Sequence, residues 1–316
     1  MATAAQLKSL IQSHLEDNSE KFNTVALQIA AHEARLGHAT LANEIRKIID
    51  KSKFSKPKFK SLNSDLQGLV LEMFPVDILA DLIIDDSIKS RILRVINEYY
   101  QKDKLHRHNL ENRRKLLLAG PPGTGKTMTS YIISNELHLP IYVILMDKVV
   151  TKYMGETSAK LRQIFDMIEE HPAVYLFDEF DAIGTHRNKD NDVGEMRRVL
   201  NSFLQFIDRD HSESIIIAAT NNLELLDQAL FRRFDDVIHY HLPSDDEKLC
   251  LLKNRLGTKI SITDLKKVLP NLETLSHAEI NQACLDAIKE SILSNSNLDV
   301  ELIEKCIIER KQAYHL

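Results

Sequence analysis

Apolar positions along this chain follow three successive patterns. Between residues 3 and 52 they recur at helical spacing. Leu7, Leu10, Ile11 and Leu15 form one stripe, and Phe22, Val25, Ala26 and Ile29 a second that ends at Gly37. Leu41, Ile45, Ile48 and Ile49 form a third. Three short amphipathic helices joined by polar turns can bury a small core, so residues 1–52 are expected to form an N-terminal helical bundle. The periodicity then lapses. Lys51–Lys60 holds five lysines and one proline without an apolar stripe, which predicts an exposed linker over 53–76.

From residue 77 short apolar runs alternate with amphipathic segments. Leu79–Asp85 predicts a strand or turn leading to a helix over 87–105. Lys115–Ala119, Ile141–Leu145, Val174–Asp178, Ser214–Thr220 and Val237–His241 read as strands, and 128–137 and 159–170 as helices. Such alternation implies a parallel sheet covered on both faces. Beyond Pro243 the spacing is helical to the end, with stripes such as Leu249/Leu252/Leu256 and Ile280/Cys284/Ala287. The expected fold class is α/β, with a parallel-sheet domain over 77–243 and a C-terminal helical lid over 244–316.

Composition narrows the function only modestly. The chain has 316 residues, 43% hydrophobic and 28% charged, as expected of a globular protein of about two domains. A net charge of −5 argues against a nucleic-acid binder, because no basic excess is available to neutralise phosphates. The linker lysines, interleaved with Phe54 and Phe59, could touch nucleic acid or an acidic partner, but a solvated tether explains them more simply. Cys250, Cys284 and Cys306 lack metal-ligand spacing, and His14, His32 and His38 are scattered. Neither a leader peptide nor a membrane-length apolar run stands out. The expectation is a cytoplasmic protein with reduced thiols and no membrane association.

The chemistry concentrates in the α/β part. Gly120-Pro121-Pro122-Gly123-Thr124-Gly125-Lys126-Thr127 has Walker A spacing between a strand and a helix. Its glycines let backbone N–H groups turn inward toward a phosphate chain at the positive end of the helix that begins around Met128. Lys126 is expected to pair with the β- and γ-phosphates of ATP, and Thr127 to ligate Mg²⁺. Asp178 and Glu179 end a buried strand, where open α/β sheets collect ligand chemistry. Asp178 is expected on the metal, and Glu179 as the group that polarises the attacking water. Asn221, ending the next strand, could hydrogen-bond that water or the γ-phosphate. Arg232 and Arg233 offer guanidinium groups of the kind that clamp a phosphoryl transition state, worth about 10³–10⁵ in rate. On spacing alone they would read as surface ion-pair partners.

Together, Gly120–Thr127, Asp178–Asp181, Ala219–Asn221 and Ala229–Asp235 resemble the Walker A, Walker B, sensor-1 and arginine-finger motifs of AAA+ ATPases, in particular the AAA subgroup that includes katanin, spastin and the AAA proteases. The resemblance implies a P-loop NTPase fold from about residue 77 onward. It also implies Mg²⁺-dependent ATP hydrolysis and a homo-oligomeric ring, a hexamer in this family, whose arginine fingers act on a neighbour's nucleotide. Lys152–Thr157 is similar to the family's pore-loop segment, in which Tyr153, Met154 and Gly155 would grip a polypeptide substrate. His186 and Arg187 lie where relatives have a second pore loop. The N-terminal helices would recruit a protein substrate or adaptor. Leu275–Ile280 resembles the Ser-Gly-Ala-Asp element of a lid helix, except that His277 stands where glycine is usual. Arg232 and Arg233 also depart from the pattern by being adjacent, and Arg233 matches the second finger best. The leading expectation is an ATP-driven protein remodeller. The alternatives are a nucleic-acid motor or loader and an ATP-set assembly switch.

Overall fold

The computed structural model describes residues 66, 68–150, 154–183, 192–223, 228–257 and 260–314, and a few positions near the N-terminus. The chain divides into two compact units, Met1–Asn63 and Ser64–Leu316. In the first unit, Val25, Ala26 and Ile29 of the second predicted stripe are helical and buried, as is the adjacent Ala30. The remainder of the predicted bundle, and Lys51–Lys60 of the linker, lie outside the described residues.

The second unit is built on a six-stranded sheet. Its strands are β1 (Val70–Met73), β2 (Lys115–Ala119), β3 (Ile141–Ile144), β4 (Val174–Phe177), β5 (Ile215–Thr220) and β6 (Asp236–His239), in the order β1-β3-β4-β5-β2-β6. β2 to β6 pair in parallel. Every residue of β4 and β5 is buried, as in a sheet covered on both faces. β1 corrects two expectations. It lies within the stretch assigned to the linker, and it joins β3 antiparallel, with Val70 opposite Ile144 and Met73 opposite Ile141. Only Val70 of its four residues is fully buried. A short edge strand of that kind leaves no periodic signal to detect.

The connecting helices are α1 (Asp86–Tyr100), α2 (Lys102–His106), α3 (Lys126–Leu137), α4 (Met146–Val149), α5 (Met154–Glu170), α6 (Asp192–Arg209) and α7 (Gln228–Phe231). The helix expected over 87–105 is therefore two helices meeting at Gln101, whose N–H closes the last turn of α1. Leu79–Asp81 is a single 3₁₀ turn. α5 starts five residues before the predicted 159, because Gly155 and the β-branched Thr157 in its first turn disguise a helical start. Phe165 of α5, Phe177 of β4, and Phe203 and Phe206 of α6 form an aromatic cluster on one face of the sheet. Phe180, whose ring centroid lies 4.7 Å from that of Phe203, ties the turn after β4 into the same cluster.

The lid follows as α8 (Asp245–Leu256), α9 (Ile262–Val268), α10 (His277–Ser294) and α11 (Val300–Tyr314). These helices share a core that includes Leu252, Leu265, Ile280, Ala283 and Ile303. Their starts are legible in the sequence. Ser244 with Glu247, and Ser276 with Glu279, form capping boxes, and Ser261 caps α9. Among the described residues no helix is long and apolar enough to cross a membrane.

Candidate functional site

The strand order sets the site. β4, β5 and β2 are neighbours, so the segments leaving their C-terminal ends converge: Asp178–Glu179, Asn221 and Gly120–Thr127. The loop after β2 needs its glycines. Gly120, Gly123 and Gly125 have φ of 150°, 71° and 99°. A Cβ on Gly120 would lie 2.2 Å from the Tyr240 carbonyl oxygen just past β6, and one on Gly123 would lie 2.5 Å from the Ser276 hydroxyl at the head of α10. Tyr240 also donates its N–H to the Ala119 carbonyl at 2.7 Å. The loop is therefore clasped by the sheet on one side and the lid on the other.

Within it, the Lys126 ammonium donates to the Gly120 and Pro121 carbonyls, both at 2.8 Å. Burial holds its pKa below the ordinary lysine value, while Asp178 and Asp181 pull the other way. The Thr124 hydroxyl closes the loop onto the Pro121 carbonyl at 2.8 Å. The Thr127 hydroxyl donates to the Asp178 carboxylate, also at 2.8 Å. Asp178 accepts from the Glu179 N–H with its other oxygen, at 2.9 Å. Glu179, exposed and lining the cavity, has φ of 51°, in the left-handed region that non-glycine residues rarely adopt. Asp181 accepts from the Thr220 hydroxyl at 3.3 Å and from the Asn221 N–H at 3.4 Å, linking the ends of β4 and β5.

Thr124, Lys126, Thr127, Asp178 and Glu179 line one cavity of about 660 Å³, within the usual size range of small-molecule sites. Pro122–Met128, Asp178, Glu179 and Asn221 form its phosphate-loop end. The residues fit a Mg²⁺–nucleoside triphosphate. Inward-turned glycine backbone and a lysine held only by carbonyls suit phosphate. A hydroxyl and a carboxylate already 2.8 Å apart are hard oxygen donors of the kind Mg²⁺ takes.

A family model described as "ATPase family associated with various cellular activities (AAA)" matches residues 116–242. An uncharacterized AAA family ATPase, y4kL, of Sinorhizobium fredii is 33% identical over 303 residues, covering 93% of this chain and 90% of the relative. The chain belongs to the AAA family. Like the family, it is an ATPase with a nucleotide-binding P-loop domain. A proteasome-activating nucleotidase of Methanospirillum hungatei is 35% identical over 181 residues, 54% of this chain. The peroxisomal ATPase pex6 of Schizosaccharomyces pombe is 32% identical over 215 residues, 64% of this chain. The chain spans 44% of the nucleotidase and 23% of pex6.

The remaining residues named from the sequence divide into two groups. Arg232 and Arg233 do not line the cavity of their own AAA domain. Arg233 instead pairs with Asp208 of α6 at 2.5 Å, and Arg232 is exposed. Of the pore-loop candidates, Tyr153 lies outside the described residues, as do His186 and Arg187. The backbone of Met154 and Gly155 forms the first turn of α5.

Of the rest of the cavity, the sequence points only to the lid element around His277. Leu82, Ile83 and Ile84 contribute apolar surface, and Asp77 and Asp81 add carboxylates beside them. Leu251, Asn254 and Arg255 enter from α8, and His277, Ala278 and Asn281 from α10. The Arg255 Nε donates to the Asn281 amide oxygen. Helical spacing carries a trace of this, since Leu251/Arg255 and His277/Asn281 are each four apart and so share a helix face. That the two faces meet over the phosphate loop depends on lid packing. The Ala278 N–H donates to the Gly123 carbonyl at 3.0 Å and fixes that meeting.

Proposed function

We propose that this AAA ATPase works as a ring, most simply a hexamer, that couples ATP hydrolysis to unfolding, disassembling or threading a protein substrate. The observation that carries the ring is the split of the catalytic groups. Lys126, Asp178, Glu179 and Asn221 border one cavity, whereas Arg232 and Arg233 lie outside that cavity of the same chain. Guanidinium groups needed for phosphoryl transfer would then reach the cavity of a neighbouring copy. The names of the partial relatives, a proteasome-activating nucleotidase and a peroxisomal ATPase, support work on protein. So does the net charge of −5, which disfavours a nucleic-acid track.

In this reading Gly120–Met128 hold the triphosphate, and Thr127 and Asp178 hold Mg²⁺. Held there, Mg²⁺ would supply positive charge that offsets the charge of the triphosphate. Lys126 gives up its carbonyl partners to pair with phosphate. Glu179 accepts a proton from the attacking water, Asn221 orients that water, and Arg233, with Arg232 beside it, steadies the charge developing on a neighbour's γ-phosphate. Tyr153, Met154 and Gly155 grip the substrate chain. Residues 1–52 recruit substrate or adaptor, the stretch before β1 tethers them, and the sheet domain from β1 to residue 243 and the helices over 244–316 form the motor and its lid.

The decisive experiment measures ATP turnover with and without an unfolded protein, and with single-stranded nucleic acid as the rival stimulus. Stimulation by unfolded protein that Tyr153→Ala abolishes while basal turnover stays intact is the expected outcome. Stimulation by nucleic acid alone, or full substrate processing by Tyr153→Ala, sinks the threading reading.

A further inference from the structure

Among the polar groups in the cavity that the phosphate chemistry does not use, one is both buried and unpartnered. His277 is the first residue of α10, and its neighbour Ala278 hydrogen-bonds the phosphate loop at Gly123. The imidazole therefore stands at the seam between lid and loop, lining the cavity with Leu251, Arg255 and Asn281. Both of its ring nitrogens are buried, and neither has a hydrogen-bond partner; among the described residues no other buried side-chain nitrogen or oxygen is in that position. Native interiors rarely leave such atoms unpaired, so each instance asks for a reason. Burial also holds the His277 pKa below the ordinary histidine value, against the opposing charge of Glu247. At neutral pH the ring is uncharged, with one nitrogen a donor and the other an acceptor.

We infer that His277 is a nucleotide-contacting residue carried by the lid, and that its imidazole hydrogen-bonds the nucleoside half of bound ATP. This rests on reading the cavity as the ATP site. Two features select the nucleoside over the phosphates. The phosphate end already has Lys126 and the loop amides, while Glu247, close enough to act on the imidazole, would repel an anion there. The cavity also takes in Leu82, Ile83 and Leu251, apolar surfaces that suit a base rather than a phosphate. A neutral imidazole can serve either a ribose hydroxyl or a ring nitrogen. Where AAA relatives use the small residue glycine, this chain would use a side chain.

His277→Leu removes both nitrogens at similar volume, and His277→Gln keeps a donor and an acceptor. Calorimetric titration of each with MgATP, MgADP and inorganic tripolyphosphate tests the contact. His277→Leu is expected to weaken ATP and ADP alike, by about 3- to 10-fold, the value of one neutral hydrogen bond. Tripolyphosphate should bind within about twofold of wild type, and His277→Gln should recover part of the loss. The free His277→Leu protein should melt no lower than wild type, while its stabilisation by ADP shrinks. In the wild type, MgADP should shift the His277 imidazole ¹⁵N resonances. Unchanged ATP and ADP affinity overturns the inference, as does an equal loss with tripolyphosphate. A lower melting temperature with full stabilisation by ADP would make His277 a packing residue only. Lys126→Ala separates the two levels of failure. If it binds ATP like wild type, the ATP-site reading fails. If it loses binding while His277→Leu does not, only the histidine contact fails.

Discussion

The two ends of the cavity are built on opposite principles. At the phosphate end the polar groups largely hold one another: Lys126 on two carbonyls, Thr127 on Asp178, Asp178 on the Glu179 N–H, and, just behind, Asp181 on Thr220 and Asn221. These groups sit on strand ends and on a glycine loop that the sheet itself clasps. At the other end, beside the segment Asp77–Ile84, the groups brought in by two lid helices include an imidazole with no partner and an arginine held by a single amide. The first end is preorganised by the sheet. The second exists only while α8 and α10 stay docked on the loop. The chemistry-bearing geometry is thus fixed by strand ends, and the opposite end rests largely on helix packing.

Removing Lys126 tests the rigid end most severely. Lys126→Ala should weaken MgATP binding by at least about 100-fold, as expected for loss of charge-assisted hydrogen bonds to phosphate, and calorimetry reads this directly. A loss under tenfold would mean that the sheet end does not dominate affinity.

Glu179→Gln comes next. It should leave ATP affinity within about threefold and cut turnover by about 10²–10⁴, the usual worth of a positioned general base. Equal loss of affinity and rate would assign Glu179 to binding instead.

Arg233→Ala sharpens the contrast between a cavity and its neighbour. Turnover per subunit should rise with protein concentration in the wild type and stay flat in the variant, with nucleotide affinity unchanged in both. A concentration-independent wild-type rate argues against a shared site.

The lid end should show the smallest effect, and it should depend on pH. Because the folded pKa of His277 is lowered, the unfolded chain binds a proton that the folded one refuses once pH drops below about 6.5. The histidine's share of stability is therefore fully present above that pH and declines as pH falls toward the folded value. Denaturant titrations of wild type and His277→Leu at pH 7.5 and 5.5 should differ by less than about 1 kcal/mol, with the wild type losing more on acidification. Parallel slopes would place the imidazole in contact with water.

The same division explains what could be read from the sequence. Gly120–Thr127 is legible because a phosphate chain dictates both the glycines and their spacing, and Asp178–Glu179 because four apolar residues announce the strand they end. β2 to β5 are visible for the same reason, since burial on both faces writes apolar runs, whereas the edge strand β6, with only Ile238 fully buried, shows itself through the β-branched pair Val237-Ile238. β1 hides because three of its four residues are not fully buried. Arg255 and Asn281 hide because nothing local distinguishes them from surface residues, and only the packing of α8 on α10 brings them into the cavity. His277 was visible as a departure from the family pattern, but its buried, unpartnered state is a property of three dimensions.

The bond between Ala278 and Gly123 also has a mechanical side. α10 has 18 residues and so runs about 27 Å from that bond. Treated as a rigid rod pivoting at Ala278, it would move its far end by roughly 2 Å for a tilt of about 5°, by simple leverage over that length. Ile292 and Leu293, large apolar side chains exposed at that end, would travel with it. A change in the phosphate loop too small to disturb the chemistry would thus reach the surface as a displacement on the scale of a hydrogen bond, large enough for a neighbouring molecule to feel.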